Sequence, residues 1–516
     1  MMAGTKQTRP HRVVQDGNPV NTLAQHRHCW ANDPKTGFLD PTWPREPDIE
    51  AARKLAIAYL PAADFADAEI GPFARGAFHR LFIISSSRVR TQYLMRVAIP
   101  VDPFFKTESE VATMEYVRER SSLPVPRVVA FASTASNPLG FEWILMERAD
   151  GVPLDQVWDN MPLDAKTRLT DDFAHRMKQL LDIRFTLLGN IYFVDIWNQV
   201  GYAPLFDHHP RHNSGSIDVD IGGTDGNFVI GRMVSTRFFR DKRAVLRAER
   251  GPFRTARELA LAETRLLGQR IRHLSPSPND DYYCEVDEGL ADGGDEVLQI
   301  FDQLEDAAST RVFPLSADDG PEDAKVLWHD DLSCMNVLVH PETYELTGVV
   351  DWESVSIVPA WETGRDGVPY FLRGLEVTEP PPVGTVSDEE EEGLTMIRKD
   401  WELVQLRRRY YGIVGPLYNP EAVSETTIRL KKELSELLGD FEDRWESVRY
   451  WLERQLDLKD DAYRGVGSGS NEEEEDEDEE DDDNDDDQDN VDGTKDRSDD
   501  DAKLSQHGDK SDAAGS

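Results

Sequence analysis

Residues 326–339 have the sequence VLWHDDLSCMNVLV, and residues 346–353 have the sequence LTGVVDWE. The first stretch predicts two short apolar strands that flank a loop with one histidine, two aspartates and one asparagine. The second stretch predicts a third strand that ends at an aspartate. If the turn between the last two strands is centred on residues 343–344, Asn336 and Asp351 lie directly opposite each other in a hairpin.

The paired side chains of Asn336 and Asp351 would form a small site for a hard cation. An amide oxygen and a carboxylate held side by side suit Mg²⁺, which keeps water and substrate phosphates as its other ligands. Asp331 lies five residues before Asn336 on the same loop. It would lie over the metal as a base or orienter for an incoming hydroxyl group.

The spacing His329-x-Asp331-x-x-x-x-Asn336, followed by Asp351-Trp352-Glu353, resembles the catalytic loop and metal-binding aspartate of aminoglycoside phosphotransferases. These enzymes are relatives of protein kinases. The stretch VPAW that follows the Asp-Trp-Glu segment is similar to the equivalent stretch in fungal members of that family.

The resemblance covers about residues 70–460 and implies an α+β, two-lobed protein-kinase-like fold. A small β-rich N-lobe would bind nucleotide, and a larger helical C-lobe would carry the catalytic loop and the acceptor site. The resemblance implies Asp331 as the catalytic residue and His329 as the residue that holds the loop. It implies Asn336 and Asp351 as the metal ligands.

The first lobe shows a pattern of strands and one helix before residue 150. Strands are predicted at 78–84, 93–99 and 143–146, and a helix is predicted over 108–120. Within that helix Glu110 shares the buried face with Met114 and Val117, because these residues are four and seven positions further on.

A carboxylate on a buried helix face needs a partner, and Arg96 is the one cation among apolar residues in the strand just before. We therefore expect Arg96 to pair with Glu110. Kinase-like enzymes use such a pair to hold nucleotide phosphates, and an arginine in place of their lysine can hold phosphate through two bonds. By itself the pair could equally be a structural lock.

Two further segments are implied to contact the nucleotide. Met146, Glu147 and Arg148 resemble the hinge between lobes, whose backbone groups pair with a purine ring. The turn that ends at Gly76 takes the place of the glycine-rich loop, with Gly76 as the expected phosphate contact. That turn is not a G-x-G-x-x-G motif.

Helical periodicity prevails beyond the first lobe, with apolar residues three to four positions apart. Long helices are predicted over 165–184, 256–273 and 424–456, and exposed loops over 275–295 and 380–392. The predicted organisation has four segments: an extended or disordered arm over 1–45, the N-lobe over 46–150, the C-lobe over 151–464, and a disordered acidic tail over 465–516.

The chain has 516 residues and a formal charge of -42, with 57 Lys or Arg against 99 Asp or Glu. Residues 471–516 alone hold 23 acidic and 4 basic residues. Such a segment has nothing apolar to bury and is expected to stay disordered, as a solubilising spacer or as a tail for a basic protein partner.

The same balance excludes nucleic acid as a primary partner, because phosphate-backbone binding needs a basic surface. No apolar run is long enough to cross a membrane, so no membrane association is expected. Three scattered cysteines exclude a disulfide framework and favour a reducing compartment. A cytoplasmic protein, or alternatively a nuclear one, is the resulting expectation.

The function predicted from these features is an Mg²⁺-dependent phosphotransferase that moves a phosphoryl group from ATP or GTP to a hydroxyl of a small molecule. One alternative is a catalytically weak or inactive kinase-like binding protein, which the atypical glycine loop and the extra charge of Asp330 beside Asp331 favour. Another is a metal-dependent phosphohydrolase, which would need further histidine ligands on helices, whereas the histidine cluster at 208–212 is predicted in a loop interrupted by Pro210.

Overall fold

The structure is a computed structural model that describes most of the chain in separate ranges. These are 9–13, 29–32, 39–195, 226–240, 243–244, 246, 248–272, 285–315, 319–363, 367–379, 388–418 and 420–464. The predicted acidic tail over 465–516 and the histidine cluster at 208–212 lie outside the described residues.

The N-terminal region is built around a six-stranded sheet. In chain order the first eight strands are β1 His11–Arg12, β2 Trp30–Asn32, β3 Leu39–Pro41, β4 Glu69–Arg75, β5 His79–Ser85, β6 Tyr93–Ala98, β7 Val128–Ala132 and β8 Glu142–Glu147. The large sheet has the order β1-β7-β8-β6-β5-β4, while β2 and β3 pair separately. All neighbours in the large sheet are antiparallel except β1 and β7, which are parallel.

Both faces of the central strands are covered, so β6 is buried at every residue from Tyr93 to Ala98. Helices α1 Ile49–Tyr59 and α2 Ala62–Phe65 contribute to the apolar core on one face. Helix α3 Phe105–Arg120 contributes to the core on the other face. Arg96 therefore sits in a strand that has no solvent-facing side.

The N-terminal stretch that was expected to lie outside the folded body contributes to it. Strand β1 extends the large sheet, and β2 packs with Leu39 in the core on the α1 face. Three of its positions are buried where the composition predicted solvent exposure, namely Cys29, Trp30 and Leu39. Short strands of two or three residues carry too little periodicity to be found in a polar sequence.

The C-terminal region is mainly helical with short strands. Its helices are α4 Leu163–Leu181, α5 Thr236–Phe239, α6 Ala256–Arg272, α7 Glu285–Ala307, α8 Asp388–Val414 and α9 Glu425–Arg464. Its strands are β9 Val152–Pro153, β10 Asn190–Phe193, β11 Phe228–Gly231, β12 Lys325–Trp328, β13 Val337–Val339, β14 Leu346–Val349 and β15 Ser356–Pro359. The two-lobed α+β fold predicted from the sequence is confirmed.

Two predicted loops are wrong in part, because helices occupy their second halves. Residues 285–295 belong to α7, where a non-helical backbone at Gly294 breaks the helix. The acidic run at 388–392 begins α8. The starts of these helices are rich in glycine and acidic residues, as loops often are. Acidic residues near a helix N-terminus, however, also interact favourably with the helix dipole.

In the part of the chain that the structure describes, no helix is both long enough and apolar enough to cross a membrane.

Helix α3 begins at a buried carboxylate that takes the place of an ordinary N-cap. Glu142 of β8 accepts hydrogen bonds from the backbone N–H of Phe104 at 2.8 Å and from the hydroxyl of Thr107 at 2.5 Å. The bond from Phe104 satisfies one of the backbone donors that a helix N-terminus leaves open, and the bond from Thr107 adds a side chain of the first turn. Burial raises the pKa of Glu142 from 4.5 to about 8, although both hydrogen bonds favour the charged form.

We predict that the Glu142 carboxyl group makes the free energy of unfolding decrease as the pH rises. A group whose pKa is higher in the folded state stabilises the fold at low pH and loses that effect as pH rises through the folded value. Relative to Glu142→Gln, the unfolding free energy of the wild type should fall between pH 5 and pH 8, by up to about 1.4 kcal/mol per pH unit.

Urea denaturation at several pH values measures this difference. The exposed carboxylate of Glu69 provides the control, and Glu69→Gln should leave the unfolding free energy nearly unchanged. A difference between wild type and Glu142→Gln that does not vary with pH would contradict the assignment.

Candidate active site

The loop at 329–336 connects β12 to β13, and its first residue faces inward. His329 is buried, and its Nε2 lies 3.0 Å from the backbone oxygen of Val350. The imidazole also meets the edge of the Trp352 ring, with 5.1 Å between ring centroids. Burial lowers the pKa of His329, so the ring is neutral at pH 7 and its Nε2–H donates to that oxygen. His329 thus ties the loop to the residue just before Asp351.

Asp331 and Asn336 face each other across the same loop. The side-chain nitrogen of Asn336 donates to Oδ2 of Asp331 at 2.7 Å and to the backbone oxygen of Asp331 at 3.0 Å. Because the amide nitrogen is engaged in this way, the amide oxygen of Asn336 is the atom that could bind a cation. Asp331 is exposed to solvent.

The hairpin register differs by one residue from the predicted one. Val337 pairs with Val349, and the backbone N–H of Val350 donates to the oxygen of Asn336 at 2.9 Å. Asn336 is therefore opposite Val350, and the predicted direct pairing of Asn336 with Asp351 is wrong. The turn is centred on residues 342–343, one residue earlier than predicted, because His340 bonds to Glu345 and Val339 pairs with Leu346; an irregularity between Leu338 and Val339 then shifts the register by one residue.

Asp351 follows β14 in a left-handed conformation, with φ at 63°. Non-glycine residues seldom adopt this conformation, and they concentrate at functional sites where the surrounding structure holds them. The indole N–H of Trp352 donates to the backbone oxygen of Val349 at 2.8 Å and fixes the turn. One carboxylate oxygen of Asp351 accepts from Arg96 at 2.8 Å.

Arg96 joins the two lobes through carboxylates. Its Nη1 lies 2.7 Å from Glu110, which confirms the expected pair, and its Nη2 lies 2.8 Å from Asp351 and 3.0 Å from Glu353. Burial opposes the charge on Arg96, but the three carboxylates together raise its pKa. Burial also raises the pKa of Glu110 to about 7, against the attraction of Arg96.

Three side chains of the cluster around Arg96 were not predicted from the sequence: His79, Lys106 and Glu353. One carboxylate oxygen of Glu353 lies 2.8 Å from Nε2 of His79 and also contacts the Lys106 ammonium. Burial and the neighbouring Arg96 lower the pKa of His79 to about 4, so its ring is neutral and its Nε2 can accept from Lys106 Nζ at 2.9 Å. Lys106 lies four residues before Glu110 on the same helix face, and that spacing could have identified it.

His79, Glu110 and Glu353 also bring three possible metal-ligand atoms within 4.8 Å of one another. Arg96 and Lys106 contact these atoms, since Lys106 Nζ lies 2.9 Å from His79 Nε2. Two permanent cations therefore fill the position that a metal would take. The arrangement fits a network of side-chain charges and not a metal centre.

The remaining predicted nucleotide contacts lie near the lobe junction. The backbone N–H of Gly76 donates to the oxygen of His79 at 3.0 Å within the turn between β4 and β5. The N–H groups of Glu147 and Arg148 donate to Arg127 and Gln92, each at 2.9 Å. All three amides thus already have backbone partners. The side chain of Met146 is buried.

Asp330, whose extra charge beside Asp331 was noted in the sequence, is exposed and interacts electrostatically with Arg237. Arg237 of α5 lies 2.8 Å from Glu362 and 3.1 Å from Glu263. Burial opposes the charge on Arg237, but these carboxylates and, to a smaller extent, Asp330 raise its pKa. Part of the negative charge of the loop is therefore offset by the protein itself.

A two-lobed kinase-like fold with these polar residues at the lobe junction defines a class of phosphate-handling proteins. Comparison with known families agrees, since the model of the phosphotransferase enzyme family (APH) matches residues 69–362. The chain belongs to this family, and the resemblance found in the sequence is confirmed.

Two fungal relatives illustrate the similarity. The chain is 25% identical over 335 residues to a subtelomeric hrmA-associated cluster protein of Aspergillus fumigatus, covering 59% of this chain and 60% of that protein. It is 26% identical over 320 residues to "Altered inheritance of mitochondria protein 9, mitochondrial" of Eremothecium gossypii, covering 56% and 48%. The matches span less than two thirds of these relatives.

Solved structures with similarity include the aminoglycoside phosphotransferase APH(4)-Ia, at 15% identity, with 82% of this chain and 100% of that chain covered and a TM-score of 0.36. Spectinomycin phosphotransferase APH(9)-Ia, in complex with ADP and spectinomycin, is 12% identical, with coverage of 80% and 95% and a TM-score of 0.35.

The comparisons contradict the expected cytoplasmic or nuclear location. Several of the matched yeast relatives are described as mitochondrial proteins. A low cysteine content and a missing secretory pattern do not separate the cytoplasm from the mitochondrial matrix, since both compartments are reducing.

We predict that His329→Ala destabilises the protein by about 2–4 kcal/mol, because it leaves a buried carbonyl without its donor and opens a cavity beside Trp352. Urea denaturation measures the change. His175→Ala is the matched control, because His175 is exposed on α4 and its ring contacts only the oxygen of Asp171 four residues earlier. Equal losses in the two variants would contradict the anchoring role of His329.

Proposed function

We propose that the protein is an Mg²⁺-dependent phosphotransferase that transfers a phosphoryl group from ATP or GTP to a hydroxyl of a small molecule. The observation that carries this proposal is Arg96, which bonds to Glu110 in one lobe and to Asp351 in the other. A guanidinium held in this way stands next to the loop that carries Asp331 and Asn336. Phosphoryl transfer requires this combination of a fixed cation, metal ligands and an acceptor base.

The donor set at the lobe junction fits Mg²⁺. Asn336 has its amide nitrogen bound to Asp331, which leaves its oxygen for a cation, and Asp351 offers a carboxylate that is 38% exposed. Both are hard oxygen ligands. When bound, Mg²⁺ would neutralise phosphate charge and orient the transferred group.

Arg96 would bind the nucleotide phosphates, with Glu110 holding the guanidinium in place. Its fork geometry lets one nitrogen keep Glu110 while the other turns from Asp351 to a phosphate oxygen. Lys106 would add a second positive charge behind it. The catalytic contribution of these residues is positioning and electrostatic stabilisation.

Asp331 would orient the acceptor hydroxyl and accept its proton. It is exposed where an acceptor can reach it, and the bond from Asn336 fixes one of its oxygens. The His329 ring is neutral and already hydrogen-bonded to the backbone oxygen of Val350, so its role in the catalytic site is to hold the loop. A proton acceptor must lie within hydrogen-bond reach of the hydroxyl, and an exposed carboxylate beside the metal ligands meets that condition.

Gly76, Met146, Glu147 and Arg148 remain our proposed contacts to the nucleotide. Because the N–H groups of Gly76, Glu147 and Arg148 have backbone partners, these contacts would use carbonyl oxygens, side chains or van der Waals packing. The geometry does not distinguish adenine from guanine.

One observation favours the alternative of a catalytically weak or inactive kinase-like binding protein. The amide of Gly76 is bonded to the backbone oxygen of His79, so this glycine does not present to phosphates the free donor that a glycine-rich loop offers. The metal-dependent phosphohydrolase receives no such support, because its required histidine cluster lies outside the described residues.

The compartment and the partners belong to the same proposal. Since matched yeast relatives carry a mitochondrial name, we propose a mitochondrial location for this protein. The acceptor is a small molecule of unassigned structure, and neither nucleic acid nor membrane is a proposed partner. A basic protein partner for the acidic segment at 465–516 stays a prediction from the sequence.

We predict that nucleotide binding depends on Mg²⁺ and that Asp351→Ala removes this dependence. Calorimetric titration of the full chain with ATP and with GTP, with and without Mg²⁺, measures it. The variant loses a metal ligand, so affinity with Mg²⁺ should fall at least about tenfold, which corresponds to about 1.4 kcal/mol.

Two variants complete this experiment. Asp164→Ala removes an exposed carboxylate of α4 far from the loop and should bind as the wild type does. Asp331→Ala should bind nucleotide normally while phosphoryl transfer to any accepted hydroxyl is lost. Nucleotide binding without transfer in the wild type would favour the binding protein, and no binding at millimolar nucleotide would exclude the phosphotransferase mechanism and also favour the binding protein.

A further inference from the structure

The short strand β1 places an arginine from the N-terminal stretch against the sheet of the first lobe. His11 and Arg12 pair in parallel with Ala130 and Phe131 of β7, and the N–H of Val13 donates to the oxygen of Phe131 at 2.8 Å. This strand closes an edge of the sheet. Its position brings the Arg12 side chain over helix α3.

Arg12 binds a carboxylate of that helix through two bonds. Its Nε lies 3.1 Å from Oε1 of Glu108, and its Nη2 lies 2.9 Å from Oε2. The remaining nitrogen, Nη1, lies 2.8 Å from Asp195. The guanidinium also lies over the rings of Phe131 and Phe193, at 5.3 Å and 5.6 Å from their centroids. Every nitrogen of the Arg12 guanidinium therefore has a carboxylate partner.

Glu108 depends on this partner because its side chain is fully buried. Burial raises the pKa of Glu108, whereas Arg12 and a hydrogen bond of 2.7 Å from the Ser133 hydroxyl act in the opposite direction. A buried carboxylate that loses its cation is strongly destabilised. It must then take up a proton or move toward water, and either change acts on the helix that carries it.

The same helix carries two members of the site. Glu108 and Glu110 are two residues apart, so they point to nearly opposite sides of the helix. Glu110 faces Arg96 on one side, while Glu108 faces Arg12 on the other. Lys106, which contacts Glu353, lies one turn before Glu110. Two guanidinium groups on opposite sides thus set the rotation of α3 about its axis.

We propose that Arg12 is a positioning residue for nucleotide binding: by pairing with Glu108 it sets helix α3 so that Glu110 and Lys106 meet Arg96 and Glu353. This inference rests on the proposed function, because the site it adjusts is the proposed phosphate site. Arg12 itself does not touch Arg96 or the loop at 329–336.

The test compares full-length wild type with Arg12→Ala, Glu108→Gln and the double variant Arg12→Ala/Glu108→Gln. Hydrogen exchange of the α3 amides reports the position of the helix, and calorimetry with Mg²⁺ and a non-hydrolysable ATP analogue reports the site. The control Arg53→Ala removes an arginine from an exposed pair with Glu50 on α1.

In Arg12→Ala we expect faster exchange over 105–120 and affinity weakened about tenfold, which is about 1.4 kcal/mol of binding free energy. The double variant should recover both, because glutamine leaves no charge to compensate. Arg53→Ala should match the wild type in both measurements. Should Arg12→Ala fail to fold, Arg12→Lys keeps the charge without the two parallel bonds and serves in the same comparison.

Three results would overturn the inference. Unchanged exchange in Arg12→Ala would show that Arg12 does not set the helix. Faster exchange with wild-type affinity would reduce Arg12 to a structural contact, as would a double variant that recovers wild-type exchange but not wild-type affinity. If the wild type itself binds no nucleotide, the proposed function fails. The hydrogen exchange of the α3 amides in Arg12→Ala, and its recovery in the double variant, still decide whether Arg12 positions α3.

Discussion

The structure depends on how the charge of one buried arginine is satisfied. Arg96 lies in a strand that is buried along its whole length, where an unpaired guanidinium would be prohibitively costly. Its partners come from two places in the sequence: Glu110 from helix α3, and Asp351 and Glu353 from the segment after β14. Because neither lobe supplies all of these partners, the contacts of Arg96 fix β6, helix α3 and the hairpin of β13 and β14 relative to one another.

Helix α3 holds this arrangement in an uncommon way. Residues Lys106 to Val117 are all buried, and several of them are charged, so the helix has no clear polar face. Each charged group on the site side and on the opposite side has a partner from another element: Arg12 for Glu108, Arg96 for Glu110, and Glu353 for Lys106. Glu142 adds the bonds that begin the helix. Specific polar contacts thus supplement apolar packing in fixing its orientation.

Local patterns in the sequence were sufficient for some parts of this arrangement. The Arg96–Glu110 contact followed from one charge in a buried strand and one on a buried helix face, and the loop at 329–336 followed from its flanking apolar strands. The hairpin register did not, because the turn lies one residue earlier than its composition suggests, and the irregularity at Leu338 and Val339 then shifts the pairing again. Arg12 pairs with a residue 96 positions away, and no periodicity links them. Helix α7 was hidden by its glycines, although Val297, Ile300 and Leu304 have helical spacing.

The two buried histidines of the lobe junction carry no charge at pH 7. Burial lowers the pKa of both His79 and His329, so they act as neutral hydrogen-bonding groups. Three carboxylates, Glu110, Asp351 and Glu353, then face two cations, Arg96 and Lys106. Burial raises the pKa of Glu110 to about 7, and the other two carboxylates add to that shift. A divalent cation shared by Asp351 and Asn336 would offset this excess of negative charge and leave Arg96 able to turn toward a phosphate. The proposed metal-assisted transfer would therefore depend on Arg96 being able to exchange one carboxylate for a phosphate oxygen.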